Sequence, residues 1–276
     1  MENNNEYLYH YTNIETLALI LKNHTIRLNN LSNMDDLQEC KARDLDNAGR
    51  FVFVSSWTED EQENIPMWKM YASLEQGIRI KLKKNPFKQY TITEDELKSL
   101  FSHSASIPGG NALLTNIPFK DLIDYKVCTP QIIAPQNFLT KIEYTEDENK
   151  IYPNIVELNE SNFSVKIGSL GKYKNLYWSF QNEWRYILTF FPLDLTKNPD
   201  EVLHDFQVYA NLVRYDFKIE IFDYYDLYID DQYFEQMEIT FSPKMSLGNQ
   251  IIVESLIEKY NPKAVFKKSC LTGLIK

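Results

Sequence analysis

Apolar and polar positions along the chain divide it into short strands and a few amphipathic helices. Residues 1–6 are polar and predict a frayed start, after which Tyr7-Leu8-Tyr9-His10-Tyr11 alternates as a strand does. Thr12 and Glu15 fit a capping box, so a helix is expected there, with Ile14, Leu17, Ala18 and Leu21 as its apolar stripe. Asn23-His24-Thr25 ends that helix, Ile26-Arg27-Leu28 reads as a second strand, and the polar run from Asn29 to Glu39 reads as a loop. Phe51 to Trp57 predicts a strand that empties into an acidic loop, Thr58 to Asn64. Pro66 suits the first turn of a helix with the stripe Met67, Met70, Tyr71 and Leu74, and Gly77 is placed to stop it. Ile78 to Lys83 alternates cleanly as a half-buried strand.

The middle third is less patterned. Glu94 to Phe101 predicts a helix, Ser102 to Asn111 a loop around Gly109-Gly110, Lys141 to Tyr144 a strand and Glu146 to Lys150 a charged turn, while 155–170 fits no element. Trp184 to Phe190 predicts a strand with Trp184, Tyr186, Leu188 and Phe190 on one face. Residues 191–235 read as strands interrupted by Pro192 and Asn198-Pro199, and the chain closes on a strand (Glu238 to Phe241), a helix (Asn249 to Tyr260) and a strand (Ala264 to Lys267). No repeat and no long Gly/Ser linker divides the sequence. The expected architecture is one α+β domain over 1–276, with 85–170 as an inserted middle section.

Composition narrows the function. The net charge of −10 weighs against binding DNA or an anionic membrane through the overall field, while leaving room for a local basic patch. No stretch of about 18 apolar residues predicts a membrane span, and the start MENNNEYLYHY lacks the pattern of a signal peptide. Cys40, Cys128 and Cys270 are odd in number and far apart, which predicts a reducing, cytoplasmic setting without a disulfide framework or structural zinc. His10, His24, His103 and His204 have no zinc-ligand spacing, and Walker A, G-x-G-x-x-G, H-E-x-x-H and G-x-S-x-G motifs are absent. No metal is therefore expected.

Three segments carry candidate chemistry: Tyr9-His10-Tyr11-Thr12, where a strand meets a helix N-terminus suited to phosphate or ribose; Pro66 to Ala72; and Trp178 to Arg185. All four tryptophans, Trp57, Trp68, Trp178 and Trp184, fall in or beside the last two. They suggest either an aromatic-walled site for a planar or cationic ligand or a tryptophan-rich core. His10 is likewise either a ligand-binding imidazole or a core histidine, and Tyr71 sits on an apolar stripe. Glu183 and Arg185 share a strand face with the apolar Ile187, which points to a partly buried carboxylate rather than a surface ion pair.

The order H-Y-T, then P-M-W-x-x-Y-A followed by a Gly and a strand, then Q-x-E-W-R resembles an uncharacterised bacterial domain-of-unknown-function family that is itself similar to the ADP-ribosyltransferase superfamily. The opening, with L-x-x-I-L in the first helix, also resembles DNA-targeting ADP-ribosyltransferase toxins and NAD-dependent RNA 2′-phosphotransferases. The resemblance covers residues 7–82 and 170–190, and it implies a split β-sheet core with flanking helices, NAD as cosubstrate, and a His–Tyr–Glu trio. By that resemblance His10 binds the adenosine-side ribose, Tyr71 stacks on nicotinamide, Glu183 is catalytic, and Gln181 precedes it as in Q-x-E transferases. Tyr11, Thr12, Trp68 and Arg185 are expected around the cofactor, and the diphosphate is expected at the Thr12–Ile14 terminus, Arg27 or Arg79.

The implied function is an NAD-dependent transferase acting as a toxin or anti-phage defence effector on a nucleic acid or protein acceptor, with a neutralising antitoxin as a possible partner. The alternatives are an NAD glycohydrolase, a non-enzymatic nucleotide-binding or protein-interaction module, and an unrelated RNA-processing enzyme on a transferase-like fold.

Overall fold

The computed structural model describes residues 6–96, 113–132, 138–158, 163–194, 196–197, 200–201, 204–205 and 221–276. Its centre is a nine-stranded mixed sheet. The strands are β1 (Tyr7–Asn13), β2 (Thr25–Asn30), β3 (Val52–Thr58), β4 (Gly77–Lys83), β5 (Leu139–Lys141), β6 (Glu183–Thr189), β7 (Tyr224–Tyr228), β8 (Glu238–Phe241) and β9 (Val265–Lys267). The α+β expectation holds in this coarse sense.

Two well-paired ribbons and a third pair, β2 antiparallel to β7 from Asn29 opposite Tyr224 to Thr25 opposite Tyr228, make up the sheet. β1 runs antiparallel to β4 along its whole length, from Tyr7 opposite Lys83 to Asn13 opposite Gly77, and β8 and β9 extend that ribbon outward. β3 runs antiparallel to β6 from Thr58 opposite Glu183 to Val52 opposite Thr189, with β5 on the far side of β6. The ribbons meet only where Tyr9 faces Thr58, and β2 touches β3 only through Asn29 and Asn30. Beyond those contacts β1, β2 and β3 diverge, and the divergence positions the site.

Side-chain alternation fills both faces. Phe53 and Trp57 of β3 and Tyr186 and Leu188 of β6 enter the main core with Leu8, Leu17 and Leu21. Val52, Val54 and Ile187, on the opposite face, enter a second core with Leu31, Phe51 and Ile167. Trp184, Tyr186, Leu188 and Phe190 share a face as predicted, although Trp184 lies at its half-buried end.

Helix α1 (Ile14–Asn23) is capped by Asn13, whose side chain accepts from the Thr16 amide at 2.8 Å. Thr12 is thus not the cap that the capping-box pattern suggested; it remains in β1. The buried stripe is Leu17, Ile20 and Leu21, and Ala18 sits at its margin because helix packing is centred one residue later. α1 ends at His24, left-handed at φ 57°, whose ring stacks on Phe234. The second long helix, α2 (Leu247–Tyr260), begins at a Ser246 cap.

The predicted Pro66 helix is corrected. One α-turn, Ile65–Met67, passes into a π-turn, Trp68–Ala72, closed by the Ser73 amide on the Trp68 carbonyl at 2.7 Å. The chain leaves at Ser73 (φ 115°), so Met70 is exposed and the α-helical stripe does not form. Gly77 opens β4 instead of stopping a helix; a Cβ there would lie 2.2 Å from the Ser73 carbonyl oxygen.

In the middle section, the single strand expected over Lys141 to Tyr144 breaks at Ile142. Its first part joins β6, while Glu143–Tyr144 pairs in parallel with Tyr173–Lys174. The charged turn at 146–150 contains a helical turn, Glu148–Ile151. Residues 94–96 are helical; 97–101 and the Gly109-Gly110 loop lie outside the described residues. No helix among the described residues is long and apolar enough to cross a membrane.

Candidate functional site

A cleft of about 460 Å³ occupies the divergence of β1, β2 and β3. His10, Tyr11 and Thr12 contribute from β1, Arg27 from β2, Ser56 and Trp57 from β3. The segment after β2 supplies Asp35, Asp36 and Glu39, the π-turn supplies Tyr71, and the approach to β6 supplies Lys174, Trp178, Gln181 and Glu183. The three residues expected to act together, His10, Tyr71 and Glu183, therefore share one cavity.

Beneath the cleft lies a buried group of four charges. Glu183 Oε1 accepts from Arg185 Nε at 2.6 Å, and Oε2 accepts from Lys174 Nζ at 2.9 Å. Arg185 also reaches Glu39 Oε2 at 2.6 Å and the Gly171 carbonyl at 3.2 Å. Lys174 is 3.9 Å from the same Glu39 oxygen. Two acids and two bases compensate one another away from water, the arrangement under which a desolvated charge is tolerated. Their consequences for the two acids differ. Burial raises Glu183, but Arg185 and Lys174 outweigh it and hold the carboxyl down at about 2, so it is ionised. Burial dominates at Glu39 and leaves its carboxyl raised despite the same two cations.

The neighbouring polar groups are oriented by this charge. Lys174 donates to Gln181 Oε1 at 3.0 Å, which turns the Gln181 amide nitrogen toward the Tyr71 hydroxyl, to which it donates. Tyr71 is thereby an acceptor within the protein, and its own O–H hydrogen is available to the cleft. Burial, then the Glu183 and Asp35 charges, pushes this phenol up to about 12, so it stays protonated. His10 Nδ1 lies 2.8 Å from the Ser56 carbonyl, which accepts only a proton-bearing nitrogen, so Nε2 carries a lone pair. Burial lowers the imidazole below its usual value, and its ring lies against Trp57. The Tyr144 hydroxyl accepts from the Glu183 amide at 2.8 Å and fixes the start of β6.

The wall facing these groups is acidic and incompletely bonded. Among the described residues Asp36 Oδ2 and Glu39 Oε1, both buried, have no hydrogen-bond partner, although the other Asp36 oxygen accepts from the Gln38 amide. Such atoms are rare in folded chains because each forfeits its hydration. At the opposite end, Arg27 binds Asp226 through two nitrogens at 2.9 and 3.0 Å and lies 3.5 Å from the Tyr224 ring centre.

Several expected ligand contacts are corrected. Trp68 is fully buried in a small core with Met67 and Tyr11 and donates to Glu63 at 2.9 Å, because the π-turn rotates its indole away from the cleft. Arg185 is fully buried behind Glu183 and is not part of the cleft lining. Arg79 is spent on the Asp60 and Glu61 carbonyls, under Tyr9 and Tyr11. The four tryptophans do not form one wall: Trp57 and Trp178 line the cleft, while Trp184, opposite Trp57 on the same sheet face, packs under Lys84 and is not part of the cleft lining. Glu39 and Asp36 lie in a run whose local pattern is simply polar, and Tyr144 and Lys174 show no local pattern that marks them as site residues, because only the tertiary pairing brings them to Glu183. Among the described residues no cluster of three or more His, Cys, Asp or Glu side chains is placed to hold a metal ion.

One family match is found. Residues 67–186 match the family described as Protein of unknown function (DUF2971). The matched segment runs from Met67, just before the π-turn, into the middle of β6, so it includes Tyr71, Lys174, Gln181, Glu183 and Arg185 together with the section read as an insertion. His10 and the acidic segment lie before it. No curated protein and no solved structure matches the chain.

Proposed function

We propose that the cleft binds NAD and that the chain is an ADP-ribosyltransferase-like enzyme. The observation that carries this reading is the meeting of a neutral His10, a proton-donating Tyr71 and an ionised Glu183 in one cavity. His10 Nε2 can accept from a ribose hydroxyl. Tyr71 offers both a ring face for a planar cation and a hydroxyl donor. The start of α1, with the Thr12 and Thr16 hydroxyls, supplies donors at the other end, beside Arg27 and its partner Asp226.

NAD supplies a cationic pyridine whose departure leaves positive charge on the ribose. A carboxylate fixed before reaction stabilises that charge most at the transition state. Glu183 is fixed in this way: Arg185, Lys174 and the Tyr144-anchored backbone settle its position and its ionisation. The pull of the same cations weakens the field it presents, so the residual anion and its orientation, rather than a full free charge, do the stabilising. If water is the acceptor the same chemistry is a glycohydrolase; transfer to a cellular acceptor fits a toxin or defence effector.

Isothermal titration of the full chain with NAD tests the reading. Saturable binding is expected, weakened about tenfold or more in His10→Ala. Absence of binding, or equal affinity in that variant, would refute it.

A further inference from the structure

We propose that Asn64 is a positioning residue that sets Tyr71 against Glu183 by tying together the two segments that carry them. The inference rests on the NAD reading and extends it to a side chain outside the cleft.

The two groups come from different parts of the chain. Tyr71 rides on the π-turn, Trp68–Ala72, and Glu183 opens β6 just after the 3₁₀ segment Leu176–Gln181. Inside the cleft the segments are joined by the Gln181 amide, which donates to the Tyr71 hydroxyl. Side chains move among staggered rotamers, so a bond between two side chains does not by itself fix two backbones. A misplacement of about 1 Å at a reacting centre can cost about a hundredfold in rate. The relative position of the two backbones therefore matters.

Asn64 supplies the backbone connection. Its Nδ2 donates to the carbonyl of Phe180, the residue before Gln181, at 3.1 Å. Its Oδ1 accepts from the amide of Met67, the residue before the π-turn, at 3.4 Å. Its own carbonyl accepts from the Trp68 amide at 3.1 Å, and its own amide donates to the Tyr11 hydroxyl at 3.2 Å. Tyr11 in turn meets the Trp68 ring edge-on, with centroids 5.0 Å apart. One residue thus engages its main-chain and side-chain groups on β1, on the π-turn and on the approach to β6. The bridge needs a donor and an acceptor on one short side chain, which a carboxamide provides.

The loop that bears Asn64 is itself braced. It begins at Thr58, which faces Tyr9 on one side and Glu183 on the other. Thr58 Oγ1 donates to the Asn182 carbonyl at 3.2 Å, and Asp60 Oδ1 accepts from Asn182 Nδ2 at 2.8 Å. Glu63 accepts from the Trp68 indole at 2.9 Å, from the Cys270 amide at 2.8 Å and from the Ser269 hydroxyl. The loop is a splint on the outside of the site. Asn64 lines the open cavity beside this loop and is not part of the cleft lining, so it acts through the groups it holds.

The test compares two variants of the full chain. Asn64→Asp keeps the acceptor for the Met67 amide and replaces the donor with an oxygen that repels the Phe180 carbonyl. Gln62→Glu adds the same charge to the same loop at an exposed position. The first readout needs no substrate: the Tyr71 ring signal in carbon-13 NMR of tyrosine-labelled protein, identified by its loss in Tyr71→Phe. It is expected to move in Asn64→Asp and to stay in place in Gln62→Glu. The second is the kinetics of nicotinamide release from NAD. For Asn64→Asp, kcat is expected to fall at least tenfold with KM within threefold, and Gln62→Glu is expected to stay within twofold of wild type. In a Tyr71→Phe background, Asn64→Asp is expected to cost less than threefold more, because the group it positions is already altered. A general loss of fold would carry through both backgrounds. An unmoved Tyr71 signal, an undiminished kcat in an active chain, or a loss of equal size in the Tyr71→Phe background overturns the proposal. If the Tyr71 signal moves as described and the wild-type chain releases no nicotinamide, the positioning role stands and the NAD reading falls.

Discussion

Replacing Glu183 with Gln removes one anion from a buried group of two acids and two bases. Glu183 is 3% exposed, Arg185 0% and Lys174 5%, so water cannot take over. The variant loses two short bonds to cations, at 2.6 and 2.9 Å, and turns an amide nitrogen or a weaker carbonyl toward them. Removing one partner of a buried ion pair costs about 3–5 kcal/mol. For a chain of this size about 2–4 °C of Tm is lost per kcal/mol, so a drop of about 6–20 °C is expected. Differential scanning calorimetry at neutral pH measures it. The compensated double variant, Glu183→Gln with Lys174→Met, restores neutrality and is expected to recover at least half of the drop. A single variant melting within about 2 °C of wild type would refute the reasoning, because no uncompensated buried charge could then have been left behind.

The pH dependence of the two acids runs in opposite senses. Because Glu183 is lowered to about 2, its contribution is fully present above the usual carboxylate value near about 4.3 and is lost as pH falls toward 2. Glu39 is raised, so its contribution is present below the usual carboxylate value and is lost as pH rises through the raised one. Glu39→Gln is accordingly expected to cost less Tm at pH 7 than Glu183→Gln, and the reverse order would contradict the assignment. Gly77→Ala places a methyl 2.2 Å from the Ser73 carbonyl, which is backbone and cannot rotate aside. A loss of about 1–3 kcal/mol in urea unfolding is expected, and an unchanged midpoint would argue against the π-turn packing. Tyr144→Phe strips the Glu183 amide of its acceptor and is expected to cost about 1–3 kcal/mol; a neutral effect would show that the amide finds another partner.

The parts of the fold legible in the sequence are those where local pattern and packing agree. The alternation in Ile78 to Lys83 and Trp184 to Phe190 corresponds to β4 and β6, since strands buried on one or both faces keep a two-residue period. The first helix was visible in Leu17 and Leu21, but its cap was misplaced by one residue, because Thr12 and Asn13 are both competent caps and only the end of β1 decides between them. The π-turn was not legible: Met67, Met70 and Tyr71 have α-helical spacing, and the switch depends on Ser73, Gly77 and the burial of Trp68, which are tertiary matters. For the site, the trio His10, Tyr71 and Glu183 was read from motif order, and the partial burial of Glu183 from Ile187 on its face. Glu39 and Lys174 could not be read, since an acid in a polar run acquires its role only from a guanidinium 146 positions away. Trp68 and Arg185 neighbour site residues in sequence yet do not line the cleft, because adjacency along the chain says nothing of which way a side chain turns.

The central claim is that this cleft holds NAD and severs its nicotinamide bond through Glu183. The most direct measurement is chromatographic release of nicotinamide from NAD by the full chain, compared with the charge-balanced Glu183→Gln, Lys174→Met variant after calorimetry has shown that it folds. The account predicts steady release by the wild-type chain and at least a hundredfold less by the folded variant. Equal release by both, or none from a wild-type chain saturated with NAD, would contradict it.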